Sequence, residues 1–315
     1  MRLANKYRPQ SFDDVVGQSV TTKILNNYIK DNVLESMLFV GPAGCGKTTC
    51  ARIFANNIDG ETMEIDAARN NGVKEIKGII DYAKTTSLTN ANKVIIFDEA
   101  HTITPEGWQS LLITLEEGVK HTIFIFCTTD PRKIPNTVIS RLKVFHFNAI
   151  DQGIIFERLC NITEREQLNI SKEVLDYITR ISNNNLREAL TCLEQCIDYD
   201  KNISIDDAYK VLNHISDRGL EKFFDFIHSD KVRACKYIKK IQHLGFDLYT
   251  FIEDCLQYSI NKAFNDISFT PNVDFCLNIM QELKYMISNP GSIYTFICAK
   301  VLTYDWSKDI DRKTI

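Results

Sequence analysis

Residues 41–48 read Gly41-Pro42-Ala43-Gly44-Cys45-Gly46-Lys47-Thr48. This stretch follows an apolar run, Met37–Val40, and precedes residues with helical spacing such as Ala51 and Phe54. Glycines let successive backbone N–H groups turn towards phosphate oxygens, and the start of a helix adds positive partial charge there. Lys47 would supply charge for the outer phosphates of a nucleotide, and the Thr48 hydroxyl could ligate Mg²⁺. Motif and context therefore predict a phosphate-binding loop between a strand and a helix, rather than an incidental glycine-rich turn.

A second apolar run, Val94–Phe97, ends in two carboxylates, Asp98 and Glu99. At a strand end beside a phosphate loop, Asp98 could bind the Mg²⁺ shell and Glu99 could polarise an attacking water. An exposed turn after the strand would explain the acidic pair taken alone. Because Lys47 and Thr48 occur in the same domain, we interpret Asp98 as a metal ligand and Glu99 as the catalytic base.

Short β-rich runs alternate with helical patterns over residues 1–150. The runs are Met37–Val40, Thr62–Ile65, Lys93–Asp98, Thr122–Cys127 and Lys143–Phe147. Strands buried between helices indicate a parallel α/β sheet flanked by helices. After residue 151 the β pattern stops and only helical spacing follows; Thr104, Asp151 and Ser171 are expected helix N-caps. We therefore predict an α/β domain over residues 1–150, a small helical domain over 151–212 and an all-α bundle over 213–315.

The composition limits the possible partners. The 315 residues carry 37 Lys and Arg against 41 Asp and Glu, a formal net charge of −4. Such a chain cannot coat nucleic acid by bulk charge, so any contact with DNA must come from a local patch. No run approaches the roughly 18 apolar residues of a membrane-spanning helix, and the first residues lack the apolar core of a signal peptide. We expect a cytoplasmic protein with no membrane partner.

Ten cysteines are spread through the chain without a C-x-x-C pair. Most fall inside apolar helical or strand patterns, where a free cysteine behaves as a small hydrophobic side chain. We therefore expect reduced core thiols and no bound zinc, rather than metal ligands or disulfides.

Further motifs resemble those of the AAA+ ATPases and, among these, the sliding-clamp loaders. The segment Tyr7-Arg8-Pro9, followed by Phe12 and Val15-Val16-Gly17-Gln18, looks like the family's N-terminal element, which packs against adenine. Thr129 resembles the polar residue of the sensor 1 strand end, which faces the γ-phosphate. The resemblance implies a parallel-sheet AAA+ domain, a helical lid over residues 151–212 and an all-α collar over 213–315 through which subunits assemble.

Two arginines also match the family's pattern. Arg141, preceded by Ser140, looks like the finger that acts on a neighbouring subunit's ATP, and Arg187 resembles the sensor 2 arginine of the lid. Taken alone, Arg141 could be a surface arginine, and Thr129 could cap a turn before Pro131. The order and spacing of all the motifs favour the family.

The resemblance therefore implies a complete set of site residues. Those expected to bind the nucleotide are Tyr7, Arg8, Pro9, Val16, Gly41, Pro42, Ala43, Gly44, Cys45, Gly46, Lys47, Thr48, Thr49 and Arg187. Those expected to act in hydrolysis are Lys47, Glu99, Thr129, Arg141 and Arg187, with Thr48 and Asp98 as Mg²⁺ ligands. The implied cofactors are ATP and Mg²⁺.

The function implied is that of an ATPase subunit that opens a ring clamp and loads it onto primer–template DNA at the replication fork. Its expected partners are the clamp, the DNA and further loader subunits in a pentameric ring with several copies of this chain. For DNA contact we predict Arg69, Asn71 and Lys74, which precede or begin a helix; a solvated loop is the plain alternative.

Two other functions remain open. Another AAA+ DNA motor, such as a branch-migration helicase, would share the ATP site, and assembly mass together with clamp-stimulated hydrolysis separates it from a loader. A non-hydrolysing structural subunit of the loader is the second alternative. Lys47, Thr48, Asp98, Glu99 and Arg141 together argue against it.

Two departures from the bacterial γ/τ members of the family change the expectations. Those members carry a four-cysteine zinc insertion after the phosphate-loop helix, whereas residues 51–66 here hold no cysteine. The sequence also stops soon after the predicted bundle, so we expect no long polymerase-binding extension.

We predict that the purified chain contains no stoichiometric zinc, because its cysteines are expected to be core thiols. Elemental analysis of the protein after dialysis measures this directly. One zinc per chain would overturn the interpretation of the cysteines.

Overall fold

Five parallel strands form the central sheet. In the computed structural model the described residues are 2–85, 92–264, 266, 269–284 and 290–304. The strands are β1 (Met37–Val40), β2 (Gly60–Asp66), β3 (Asn92–Asp98), β4 (Thr122–Thr128) and β5 (Lys143–His146), in the spatial order β2-β3-β4-β1-β5. The predicted parallel sheet is confirmed, and the strand ends differ from the predicted ones by at most two residues.

The sheet is buried on both faces. Alternate strand residues point to opposite sides of the sheet, and helices cover each side. On one face, Phe39 and Ile96 pack in a core with Phe54 of α3 (Lys47–Asn56). On the other, Phe97 and Phe126 pack with helices α4 (Val73–Lys84) and α5 (Pro105–Glu117). This double burial explains why the strands appear in the sequence as continuous apolar runs.

The other helices before residue 200 are α1 (Leu3–Lys6), α2 (Ser19–Lys30), α6 (Asn136–Ile139), α7 (Gln152–Arg165), α8 (Lys172–Ile181) and α9 (Leu186–Tyr199). The three predicted N-caps are confirmed. The Thr104 hydroxyl accepts from the Gly107 N–H at 3.2 Å, and the Asp151 and Ser171 side chains accept from the amides of residues 153 and 174. Each satisfies an amide at a helix start that would otherwise lack a partner.

The chain divides into two compact units, residues 1–194 and 195–315. The second contains α10 (Ile205–Val211), α11 (Asp217–Ser229), α12 (Lys231–His243), α13 (Leu248–Ala263), α14 (Thr270–Leu283) and α15 (Pro290–Thr303). Its core is aromatic at the centre, where the Phe223 and Phe251 rings meet edge to face at 4.9 Å. No helix in the described part of the chain is long and apolar enough to cross a membrane. The finer domain boundaries at residues 150 and 212 stay predictions.

Candidate nucleotide-binding site

A cavity of 310 Å³ opens at the carboxyl edge of the sheet, beside the phosphate loop. Three other parts of the chain complete its wall: the N-terminal segment, the end of β3 and the start of α9. The predicted residues that line it are Tyr7, Arg8, Pro9, Val16, Ala43, Gly44, Cys45, Gly46, Lys47, Thr48, Thr49, Asp98, Glu99 and Arg187. Gly41 and Pro42 do not line the cavity, but their carbonyl oxygens contact Lys47.

Two glycines are required by the path of the loop. Gly44 has φ +71°, and a Cβ atom there would lie 1.7 Å from the Asn185 side-chain oxygen. A Cβ atom at Gly41 would lie 2.4 Å from the Phe147 carbonyl oxygen, at the end of β5. The loop can therefore approach β5 on one side and the start of α9 on the other only because these positions lack side chains.

Lys47 is buried, with 7% of its surface exposed, at the first position of α3. Its Nζ atom donates to the Gly41 carbonyl oxygen at 2.8 Å and to the Pro42 carbonyl oxygen at 2.7 Å. Both acceptors are neutral, and among the described residues no carboxylate forms an ion pair with this ammonium group. A buried cation without an anionic partner is costly unless an anion joins it, so the loop fits a phosphate group.

Thr48 and Asp98 come together from α3 and β3. The Thr48 hydroxyl donates to an Asp98 carboxylate oxygen at 3.0 Å, and the same oxygen accepts from the Glu99 N–H at 3.1 Å. A hydroxyl and a carboxylate oxygen side by side are the hard oxygen ligands that Mg²⁺ prefers. The two predicted metal ligands therefore fit the ion.

Glu99 occupies a strained backbone position, with φ +49° in the left-handed region. Its carboxylate contacts the Thr129 hydroxyl at 3.4 Å, and His101 Nδ1 lies 3.3 Å from the same oxygen, Oε2. His101 Nδ1 is also 3.3 Å from the Thr128 hydroxyl. Strain in a non-glycine residue persists only where surrounding contacts over-determine it, and such residues cluster at functional sites. Sequence reasoning assigned His101 no role, but its ring contacts the predicted base and helps to orient it.

A set of polar contacts tethers the N-terminal segment to α7. The Tyr7 hydroxyl donates to the Glu166 carboxylate, which also pairs with Lys6 Nζ at 2.5 Å. Desolvation, together with this hydrogen bond, raises the pKa of Tyr7, while the bonds from Lys6 and Tyr7 lower the pKa of Glu166. Arg158 adds a bond from its Nη2 atom to the Tyr7 carbonyl oxygen at 3.3 Å. Sequence reasoning missed Glu166, because no local pattern identifies it as the partner of Tyr7.

Two amide side chains also hold the site together: Gln18, which belongs to the predicted N-terminal element, and Asn185, to which sequence reasoning assigned no role. Gln18 is buried, and its Nε2 atom donates to the carbonyl oxygens of Asn148 at 2.7 Å and Cys45 at 3.3 Å. The Asn185 side-chain oxygen accepts from the Arg187 N–H at 3.1 Å and so begins the helix that carries Arg187. The one sequence signal at Asn185 is the run of three asparagines at 183–185, which predicts a break before a helix that begins at Leu186.

Cys45, although inside the phosphate loop, is a packing residue. It is 1% exposed, and desolvation raises the pKa of its thiol despite the nearby Lys47 charge. The side chain therefore stays a neutral thiol at neutral pH and does not act as a nucleophile. The ten cysteines are all free.

Arg141 and the predicted DNA patch lie away from this cavity. Arg141 precedes β5 and lines a separate 550 Å³ cavity, together with Ser36, which precedes β1. Arg69 and Lys74 are exposed near the start of α4, and Arg69 Nε lies 3.4 Å from an Asp66 carboxylate oxygen.

The chain matches two known protein families. Residues 37–149 match the ATPase family associated with various cellular activities (AAA), and residues 157–197 match the RCF1/5-like AAA+ ATPase lid domain. These matches define the class of protein as an AAA ATPase domain followed by its lid.

Relatives define the family more narrowly. The chain is 35% identical over 283 residues to DNA polymerase III subunit tau of Bacillus subtilis, covering 81% of this chain and 50% of that one. It is 30% identical over 224 residues to replication factor C subunit 4 of Encephalitozoon cuniculi, covering 70% of this chain and 72% of that one. The chain thus belongs to the clamp-loader family of AAA ATPases. It spans about half the length of the Bacillus relative.

Solved structures share the fold. A variant of Thermotoga maritima RuvB is similar with a TM-score of 0.57 and 19% identity, covering 70% of this chain and 79% of that chain. At this level of identity the likeness concerns the fold alone.

Replacing Lys47 by Ala is expected to abolish nucleotide binding, because the phosphates would lose their main counter-charge. Titration with a fluorescent ATP analogue measures the affinity, and Lys77→Ala, an exposed lysine outside the cavity, is the matched control. Tight binding by the Lys47 variant would contradict the phosphate-loop assignment.

Replacing Gly44 by Ala is expected to weaken nucleotide binding at least about tenfold, because a left-handed Ala costs about 1–2 kcal/mol and its Cβ atom would displace Asn185. Gly78→Ala is the control, since a Cβ atom there meets no atom within 4 Å. Calorimetric titration of both variants checks the difference. Equal affinity for the two variants would show that the loop does not need its observed path.

Proposed function

We propose that this chain is the ATPase subunit of a sliding-clamp loader. ATP binding between subunits assembles a ring that opens a clamp and grips primer–template DNA, and hydrolysis releases the clamp closed around it. ATP, clamp and DNA all favour the same assembly, so each raises the affinity for the others. The partners are the clamp, the DNA and further loader subunits in a pentamer with several copies of this chain. The place of action is the replication fork, in the cytoplasm.

One observation carries the proposal: Arg141, the predicted finger, and the phosphate loop lie at opposite ends of two paired strands. β1 and β5 pair in parallel, with Met37 opposite Lys143. The loop follows the carboxyl end of β1, whereas Arg141 precedes the amino end of β5. At about 3.3 Å per residue, four residues of strand separate the two by at least about 13 Å. Arg141 therefore needs the nucleotide of another subunit, which supports a ring of copies.

Within one subunit, the residues divide the work on the nucleotide. Lys47 holds the outer phosphates, Thr48 and Asp98 hold Mg²⁺, and the Tyr7 segment packs against adenine. The ion, when bound, neutralises charge on the phosphate oxygens. Glu99 accepts a proton from the attacking water.

Three further residues complete the proposed machinery. Thr129 orients Glu99 and faces the γ-phosphate, and Arg187 contacts the nucleotide from the start of α9. Arg141 neutralises charge on the γ-phosphate of the neighbouring subunit, which stabilises the transition state. No zinc takes part in this scheme.

The DNA contact is proposed at Arg69, Asn71 and Lys74. The exposure of Arg69 and Lys74 before and within the first turn of α4 supports it, since helix N-termini and basic side chains bind phosphates. Such contacts recognise backbone shape, so loading does not depend on the DNA sequence.

A branch-migration motor is the other AAA+ function considered from the sequence, but the likeness to RuvB extends to the fold alone and does not favour that function. The sequence relatives favour the loader, because a replication factor C subunit aligns over 72% of its own length. A non-hydrolysing subunit of the loader is disfavoured by the contacts among Thr48, Asp98 and Glu99, which a purely structural role does not need.

A mixing experiment tests whether Arg141 acts across an interface. Arg141→Ala is expected to keep its ATP affinity but to lower hydrolysis stimulated by clamp and DNA about 10³-fold, and Glu99→Gln is expected to bind ATP without turnover. Rings that contain both variants are expected to regain part of the activity, because an intact Glu99 in one subunit can face an intact Arg141 in its neighbour. Arg141→Lys is expected to rescue little, since a point charge cannot reproduce the planar fork.

Native mass measurement shows whether mixed rings form. If they form and remain as inactive as either variant alone, Arg141 does not act in trans and the proposal fails.

A further inference from the structure

Arg141 donates hydrogen bonds to two different helices of its own subunit. Its Nη2 atom donates to the Glu116 carboxylate of α5, and its Nη1 atom donates to the Thr137 carbonyl oxygen of α6. Both helices are anchored in the sheet core, through Leu111 and Val138. The two terminal nitrogens of one guanidinium group are therefore held from two rigid elements.

These hydrogen bonds leave N–H donors of the Arg141 guanidinium group available for a second partner. An arginine carries five N–H donors in a rigid planar fork. The bonds to Glu116 and Thr137, with a third from Nη1 to the Ser140 hydroxyl at 3.3 Å, leave one N–H on Nη2 and the N–H on Nε. About a third of the Arg141 side chain, 35%, remains exposed at the wall of the 550 Å³ cavity. An arginine held in place loses less conformational entropy when it meets a phosphate than a free surface arginine does.

Folding alone gives little reason for the pair. Glu116 is 46% exposed and Arg141 35%, and ion pairs between groups this exposed contribute little to stability. The adjacent Glu117 shows the ordinary case: it is 64% exposed and its carboxylate lies 3.9 Å from Lys84 Nζ, a long surface pair. The hydrogen bonds that orient Arg141 are therefore not explained by their contribution to the stability of the fold.

We propose that Glu116 is the positioning residue of the arginine finger, fixing the plane of the Arg141 guanidinium so that it meets a neighbouring subunit's γ-phosphate already oriented. This inference rests on the trans role of Arg141 described under Proposed function. Glu116 itself touches no nucleotide and acts only through Arg141.

The test uses the full chain, ATP and a primer–template oligonucleotide, at protein concentrations where native mass measurement shows assembly. Glu116→Gln is expected to lower kcat at least about tenfold, as misplacement of a functional group does, with unchanged binding of a fluorescent ATP analogue. Glu117→Gln removes the same charge one residue along and is expected to leave kcat unchanged. Circular dichroism checks that both variants fold as the wild type does.

A double-mutant cycle separates positioning from a structural role. In the Arg141→Ala background, Glu116→Gln is expected to cause no further loss, because its target is gone; independent effects would multiply instead. Mixing adds a second readout. Glu116→Gln is expected to regain activity with Glu99→Gln, which supplies an intact finger, and not with Arg141→Ala, which lacks one.

The outcomes are distinguishable. If Arg141→Ala lowers hydrolysis and Glu116→Gln does not, the role of Glu116 is wrong and the proposed function stands. A higher rate for Glu116→Gln would mean that the carboxylate restrains the finger, and multiplied losses in the double variant would mean a separate structural role; both overturn the inference. If Arg141→Ala itself has no effect, the trans finger fails together with the inference.

Discussion

The parallel pairing of the strands fixes everything else in the first unit. β3, β4 and β1 run side by side in one direction, so their carboxyl ends meet at one edge and bring Asp98, Thr128 and the phosphate loop together. Strands paired in this way are buried on both faces, and the helices that cover them supply Lys47 and Thr48 at the start of α3. The 3.0 Å contact between Thr48 and Asp98 is a direct result of this topology.

The same constraint separates the two edges of the sheet. The residues that follow β1 and β3 line the nucleotide cavity together with the N-terminal segment and the start of α9, while residues before the strands, such as Ser36 and Arg141, line the second cavity. Because each strand runs straight from one edge to the other, a side chain before a strand cannot reach a ligand bound at the edge where the strand ends. A site that needs both edges must be built from two copies, each presenting a different edge.

Local patterns made much of this predictable. The strand runs, the phosphate loop and the caps at Thr104, Asp151 and Ser171 all depend on residues close in sequence, and the sheet and the caps are confirmed in the structure. The clamp-loader family could be named because several short motifs occur in a fixed order. The roles of the individual site residues stay predictions, although the cavity brings most of them together.

The contacts that sequence reasoning missed are long-range ones. Tyr7 and Glu166 are 159 residues apart in sequence, and Gln18 and Asn148 are 130 apart. Glu116 and Arg141 are nearer, 25 residues apart, but Glu116 lies on α5 and Arg141 in the turn before β5. No periodicity links such pairs, because their distance depends on how the elements pack. Glutamate, glutamine and asparagine are also common on surfaces, so single residues of these types carry no signal.

The hydrogen bonds of Lys47 have a consequence for nucleotide affinity. Two of the three N–H donors of the ammonium group already hold the Gly41 and Pro42 carbonyl oxygens, and the Cys45 sulfur lies 4.0 Å away, so a phosphate takes the third donor or displaces a carbonyl oxygen. Part of the free energy gained is therefore an exchange of acceptors, not the whole attraction between a cation and an anion. Such an exchange lets an enzyme hold its substrate firmly enough for reaction and still release the product.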